Sequence, residues 1–235
     1  MADCDRGGHL LSILERLQQF SQHDIQRIGL SATVGNVEAI LNWQQGSSKR
    51  SQRVIAPPRS PSKKTLEVKY LDEIDMVREA AQRAQNKKSL FFCDSRARSE
   101  KVAQSMQNRQ IQIYVHHSSV SKEEREIAET AVASGSNVSI ICTSTLELGI
   151  DVGELDLIFQ AECPSMVASF LQRMGRTGRR PGTQANTTFF TTTSETKIQA
   201  IALIELARQN WVENVHLNNK AWHILVHQIL ASCLQ

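Results

Sequence analysis

Apolar residues in this chain recur in two rhythms, one of period two and one near 3.6, and the rhythms alternate along its length. Leu66, Val68 and Tyr70 alternate with Glu67 and Lys69, as one face of a strand does. Leu90-Phe91-Phe92-Cys93 is a continuous apolar run, the pattern of a strand buried on both faces. Further strands are predicted over 111–115, 138–142, 155–159 and 187–192, and helical spacing predicts helices over 74–84, 96–106, 122–133, 166–174 and 198–208. Ser121 with Glu124 three residues on gives a capping box to the helix at 122. Nearer the N-terminus, Leu10, Leu11, Leu14 and Leu17 mark a helix over 9–20. Residues 27–32 read as a short strand, and Asn36 caps a helix running to Trp43.

Strands alternating with helices through short connections predict an α/β fold, a parallel sheet flanked by helices. In such sheets, ligands gather at the carboxyl ends of the strands, so the loops that follow them are where chemistry is expected. One stretch breaks the rhythm. QQGSSKRSQRVIAPPRSPSKK holds Pro57, Pro58 and Pro61 among serines and basic residues, with no apolar period. The predicted organisation is a segment 1–44, a linker 45–64, a main domain 65–209 and the start of another domain at 210–235.

Composition narrows the class without naming a function. The 235 residues suit one or two domains at roughly 100–200 residues each. With 40% apolar and 22% charged residues, the chain is neither disordered nor collagen-like nor membrane-embedded. A net charge of +3 is too mild to mark a nucleic-acid binder by itself. The five cysteines form no CxxC pair, which argues against a zinc ribbon and predicts reduced thiols in a cytoplasmic protein. No secretory leader or membrane span is expected. His223 and His227 stand one helical turn apart with no third ligand pattern, and no metal site is expected.

Chemistry is concentrated in two places. Gln172-Arg173-Met174-Gly175-Arg176-Thr177-Gly178-Arg179-Arg180 packs four arginines and two glycines into nine residues. Arginine forks suit phosphate oxygens, and glycines permit close backbone approach. Upstream, Thr143, Ser144 and Thr145 follow a predicted strand, with Gly149 and Asp151 close behind. Hydroxyls at a strand end suit phosphate or sugar contacts.

Together these segments resemble motifs V (TSTLELGID) and VI (QRMGRTGRR) of superfamily 2 helicases. Ser31-Ala32-Thr33 resembles motif III, SLFFCDSRARSE the motif IV segment, and HHSSVSKEERE the segment after it. The flavour LELGID, with HHSSVS upstream, is closest to the DExH branch of large helicase-related (Lhr-like) proteins. NNKAWHILVHQILASCLQ resembles the start of the winged-helix domain that follows the motor there. The resemblance implies a RecA-like helicase C-terminal domain and a role for each matching position. Arg176 and Arg179 would reach ATP phosphates, and Gln172 would couple nucleotide to nucleic acid. Arg173, Gly149 and Asp151 would belong to the nucleotide site. Thr143, Ser144 and Thr145 would meet the nucleic-acid backbone, as would His116, Ser118 and Arg96. Ser31 and Thr33 would link hydrolysis to domain movement.

The pattern also lacks parts. A phosphate-cradling loop needs GxxxxGK[ST], and the dipeptide Gly-Lys does not occur. Asp72-Glu73-Ile74-Asp75 imitates a DExD box, but it follows the SAT motif and opens a helix, where acidic residues suit the macrodipole. The resemblance therefore implies the C-terminal motor half of an ATP-dependent DNA or RNA helicase or translocase, cut after motif II and not catalytic alone. Its cofactor would be ATP with Mg2+ in the full-length context, with no tight binding to this chain by itself. Its partners would be DNA or RNA and the missing N-terminal motor domain. The alternative is a stand-alone, non-catalytic remnant that binds nucleic acid or a partner.

Overall fold

The computed structural model describes residues 2, 4–31, 33–56, 63–107, 110–147, 153–179, 182–218 and 220–233. The elements begin with α1 (Asp5–Phe20), α2 (Val37–Gln45), β1 (Lys64–Tyr70), α3 (Glu73–Ala84) and β2 (Lys88–Phe92). Then come α4 (Arg96–Met106), β3 (Gln112–His116), α5 (Lys122–Ser134), β4 (Val138–Cys142) and β5 (Leu157–Ala161). The chain continues through α6 (Val167–Met174), β6 (Ala185–Thr191), α7 (Ser194–Arg208) and α8 (Trp222–Cys233). It divides into two units: Ser60–Trp211, and Met1–Arg59 together with Val212–Gln235.

In the first of these, six strands form one sheet in the order β1-β6-β5-β2-β4-β3. Every pairing is parallel. The continuous apolar run of β2 is explained by the two cores it serves. Phe91 packs with Met76 and Ala80 of α3 and Val102 and Met106 of α4. Leu90 and Phe92 face the opposite way, toward Ala128 and Val132 of α5. Period-two alternation thus loads both faces, as a parallel sheet covered by helices requires. The aromatic residues are few but concentrated: Phe91, Phe92, Phe159, Phe170, Phe189 and Phe190 are all fully buried. Phe91 and Phe159 meet edge-on with centroids 5.7 Å apart, and Phe170 of α6 meets Phe189 at 5.3 Å.

Local signals explain the boundaries. Asp72 accepts a hydrogen bond from the Asp75 amide, so the DEID stretch is a helix cap. The Ser121/Glu124 capping box forms as predicted. Helix α7 starts four residues before the predicted 198, because Thr193 caps it and its first turn is polar, invisible to an apolar period. Strand β5 starts at Leu157, while Leu155 makes an isolated bridge to Thr177.

In the other unit, the predicted strand at 27–32 is corrected. Residues 27–31 join no sheet among the described residues, and Leu30 is almost wholly exposed. A strand needs a neighbour to pair its backbone groups. The tail helix α8 lies against α1: Arg16 donates to Gln228 at 3.2 Å, and His223 pairs with Asp5 at 3.0 Å. The two terminal segments, assigned from sequence to different domains, therefore share one unit. Among the described residues, no helix is long and apolar enough to cross a membrane, and no group of three His, Cys, Asp or Glu side chains could hold a metal.

Candidate functional site

Because all six strands run the same way, the loops after β2, β3 and β4 emerge at one edge of the sheet. Arg96, at the start of α4, donates to Ser119 at 2.7 Å and so ties the β2 loop to the β3 loop. His117, which is buried, lies 2.8 Å from Glu100 and reinforces that tie. Arg96, Ser118 and Ser144 are exposed there, and Thr143 is half-buried. His116 is different. It is 1% exposed, with Nδ1 2.9 Å from Thr145 and Nε2 3.1 Å from Glu129. The Thr145 hydroxyl in turn donates to the His116 carbonyl at 3.1 Å. Both ring nitrogens of His116 are thus engaged within the protein, and with Thr145 it braces the β4 loop against β3.

The centre of the site is Glu147, which follows the short 3-10 turn Ser144–Leu146. Its carboxylate accepts from Arg173 Nε at 2.9 Å and Nη2 at 2.5 Å, and from Ser169 at 3.2 Å. Its backbone carbonyl accepts from Arg176 Nη2 at 2.6 Å. One residue thus holds two arginines of the downstream cluster. Arg173 also donates to Gln160 at 3.1 Å and lies over the Phe92 ring, 4.6 Å from its centroid. With Arg173 and Glu147 side chains 12% and 13% exposed, this pair is shielded from solvent. Arg173 thus clamps α6 to the β4 loop.

Arg176 is buried and turned inward onto Glu147, whereas Arg179 is exposed and donates to the Gly175 carbonyl at 2.9 Å. Gln172 is half-buried on α6. Gly178 sits between these arginines at φ 68°, in the left-handed region. A Cβ there would meet the Ala185 amide nitrogen at 2.5 Å, so both conformation and space demand glycine. Gly149 and Asp151 lie outside the described residues. Ser31, exposed, and Thr33, half-buried, belong to the other unit. Cysteine chemistry at this edge is disfavoured. Burial pushes the Cys93 thiol up to about 12 and the Cys163 thiol up to about 11, and raises Cys142 as well.

Next to β5, Glu162 adopts φ 67°, unusual for a residue with a Cβ. Its carboxylate accepts from Thr192 Oγ1 at 2.6 Å and from Arg98 at 3.3 Å. Burial opposes ionisation there, but hydrogen bonds from Thr192 and Thr196 and the Arg98 guanidinium outweigh it and hold the carboxyl below its usual range. Glu162→Ala keeps the backbone cost and loses these bonds, so it should be less stable than Glu162→Gly by about 1 kcal/mol in urea titrations. The lowered pKa fixes the sign with pH. The advantage of wild type over Glu162→Gln should be full above about pH 4.3 and close as pH falls through the folded-state pKa.

The arginines stand out in the sequence as a charge cluster, whereas Glu147, Gln160 and Glu162 do not. Glu147 had a signal: a lone acid between Leu146 and Leu148, just after a buried strand. Gln160 is the one polar residue in the strand LIFQA.

Residues 68–181 match the family model described as helicase conserved C-terminal domain. The chain is 28% identical over 99% of its length to the Lhr helicase/uracil glycosylase of Escherichia coli K12, of which it covers 19%. It is 26% identical over its full length to the ATP-dependent helicase Lhr-Core of Methanothermobacter thermautotrophicus, covering 30% of that protein. It superposes on the Mycobacterium smegmatis helicase Lhr bound to ssDNA and AMP-PNP with a TM-score of 0.87 at 28% identity. That match covers 100% of this chain and 33% of the other. A DUF1998 helicase, MrfA, bound to DNA shares the fold at a TM-score of 0.80 and 21% identity over 97% of this chain and 35% of that one. The chain spans no more than about a third of these relatives.

Proposed function

Since the chain carries a helicase conserved C-terminal domain at residues 68–181 and corresponds to the C-terminal half of a superfamily 2, Lhr-like helicase, we propose that it is the arginine-bearing half of an ATP-dependent DNA or RNA motor. The observation that carries this reading is the Glu147 junction, which fastens the hydroxyl-rich β4 loop to the arginine cluster of α6. A loop suited to the nucleic-acid backbone and a helix suited to phosphates are thereby one mechanical piece.

Arg176 and Arg179 would face the phosphates of ATP, and Asp151, with Gly149 near it in sequence, would meet the ribose hydroxyl or the arginines. ATP with Mg2+ supplies the transferable phosphoryl group; these arginines neutralise charge that develops on it. Exposed Arg179 suits that role directly, and Arg176 reaches it by exchanging the Glu147 carbonyl for a phosphate oxygen. No Gly-Lys dipeptide is present to cradle the phosphates, so this chain supplies one side of a two-sided site and does not hydrolyse ATP alone. That same absence favours the second reading, a non-catalytic nucleic-acid-binding module. An upstream reading frame encoding a GK[ST] loop and an acidic box separates the two.

On either reading, the exposed edge formed by Arg96, Ser118 and Ser144 should touch a nucleic-acid backbone. Binding of a fluorescent single strand to the 235-residue chain should weaken with salt. Arg96→Ala should lower the log–log salt slope by about 0.7, the value for one phosphate contact on a single strand. Unchanged slope and affinity in Arg96→Ala would remove that edge from the interface.

A further inference from the structure

The structure assigns Asn36 a role that the capping pattern hides. It occupies the N-cap position of α2 but makes no capping hydrogen bond. Its side-chain amide instead pairs with the peptide of a residue 179 positions away: Nδ2 donates to the Val215 carbonyl at 2.9 Å, and the Val215 amide donates to Oδ1 at 2.8 Å. An amide side chain used this way imitates a neighbouring backbone strand. Next to it, the Gly35 amide donates to the Glu213 carbonyl at 3.1 Å. A Cβ on Gly35 would meet the Val212 carbonyl oxygen at 2.5 Å and Asn214 Oδ1 at 2.6 Å, so glycine is what lets the two segments approach.

The position of Val215 in the chain gives this contact its meaning. Helix α7 ends at Arg208, the sheet-bearing unit ends at Trp211, and Val212 already belongs to the other unit. The chain is therefore fastened within four residues of its crossing. It is fastened to the loop that carries Ser31 and Thr33. We propose that residues 212–215 form a strap and that Asn36 is the positioning residue that buckles it to the loop that carries Ser31 and Thr33. The functional sense of this, a link from the second motor domain to the loop that responds to hydrolysis, rests on the helicase reading. The buckle itself does not.

Residue-resolved hydrogen exchange on the full 235-residue chain tests it without ATP. Asn36→Ala should reduce protection of the Val215 amide by about tenfold, the loss of one hydrogen bond near the upper end of its net worth. Protection in β2 and β4 should be unchanged. Asn36→Asp keeps the acceptor for the Val215 amide but sets a second oxygen against the Val215 carbonyl, so it too should lose protection there. Gly35→Ala, which leaves the Asn36 side chain intact, should free the strap as Asn36→Ala does and increase trypsin cleavage at Lys220. Unchanged Val215 protection in Asn36→Ala overturns the proposal. So does an equal rise in exchange across α1, α2 and α8, which marks general loosening. Failure of hydrolysis in a reconstituted motor would count against the helicase reading and leave these exchange results standing.

Discussion

Glu147→Ala should destabilise the sheet-bearing unit by about 3–5 kcal/mol, the cost of leaving one member of a shielded ion pair without its partner. The reason lies in what remains. Arg173 would keep Gln160 and the Phe92 ring, but its charge would sit in a largely desolvated site with no carboxylate. Ser169 would lose its acceptor as well. An exposed ion pair would cost no more than about 1 kcal/mol, so the magnitude tells the two situations apart. Replacing both partners, Glu147→Met with Arg173→Met, should recover much of the loss, because apolar side chains of similar volume need no compensation for charge. Urea unfolding of the two single variants and the double variant measures this. A loss below 1 kcal/mol in Glu147→Ala would mean that the junction is not what holds the β4 loop to α6.

In a motor completed by a P-loop-bearing first domain from a relative, Arg176→Ala should lower kcat by about 10^3–10^5, the range for loss of an arginine that stabilises transferring phosphoryl charge. The KM for ATP should change far less, since an interaction made in the transition state lowers kcat rather than ground-state binding. Stability should not fall in parallel. Arg176 bonds a neutral backbone carbonyl of Glu147, whereas Arg173 bonds its carboxylate. Arg173→Ala should show the reverse balance, a stability loss with a smaller effect on turnover. A variant pair that behaved identically would erase the distinction between clamp and finger.

Much of the fold was legible because the rhythm of the sequence is local. The run Leu90-Phe91-Phe92-Cys93 announced a doubly covered strand, and Ser121 with Glu124 announced a helix start; both signals act within a few residues. What was not legible depends on partners far away in sequence. Residues 27–32 have strand composition, but composition cannot supply a neighbouring strand. Asn36 reads as a cap because caps are local, yet it spends its amide on Val215. His116 and Thr145 both read as nucleic-acid contacts for the same reason; only the parallel pairing of β3 with β4 brings them within 2.9 Å of each other. The arginine cluster was visible as charge, but its division into an inward Arg173 and Arg176 and an exposed Arg179 follows from Glu147, a single carboxylate among leucines.

The central claim is that this chain contributes one side of an ATP site, and phosphate release tests it most directly. Nuclease-free 235-residue protein should release no phosphate from ATP above background, with or without single-stranded DNA or RNA. Adding the P-loop-bearing domain should restore nucleic-acid-stimulated release that depends on Arg176. Release by the chain alone, stimulated by nucleic acid and lost in Arg176→Ala, would contradict the account.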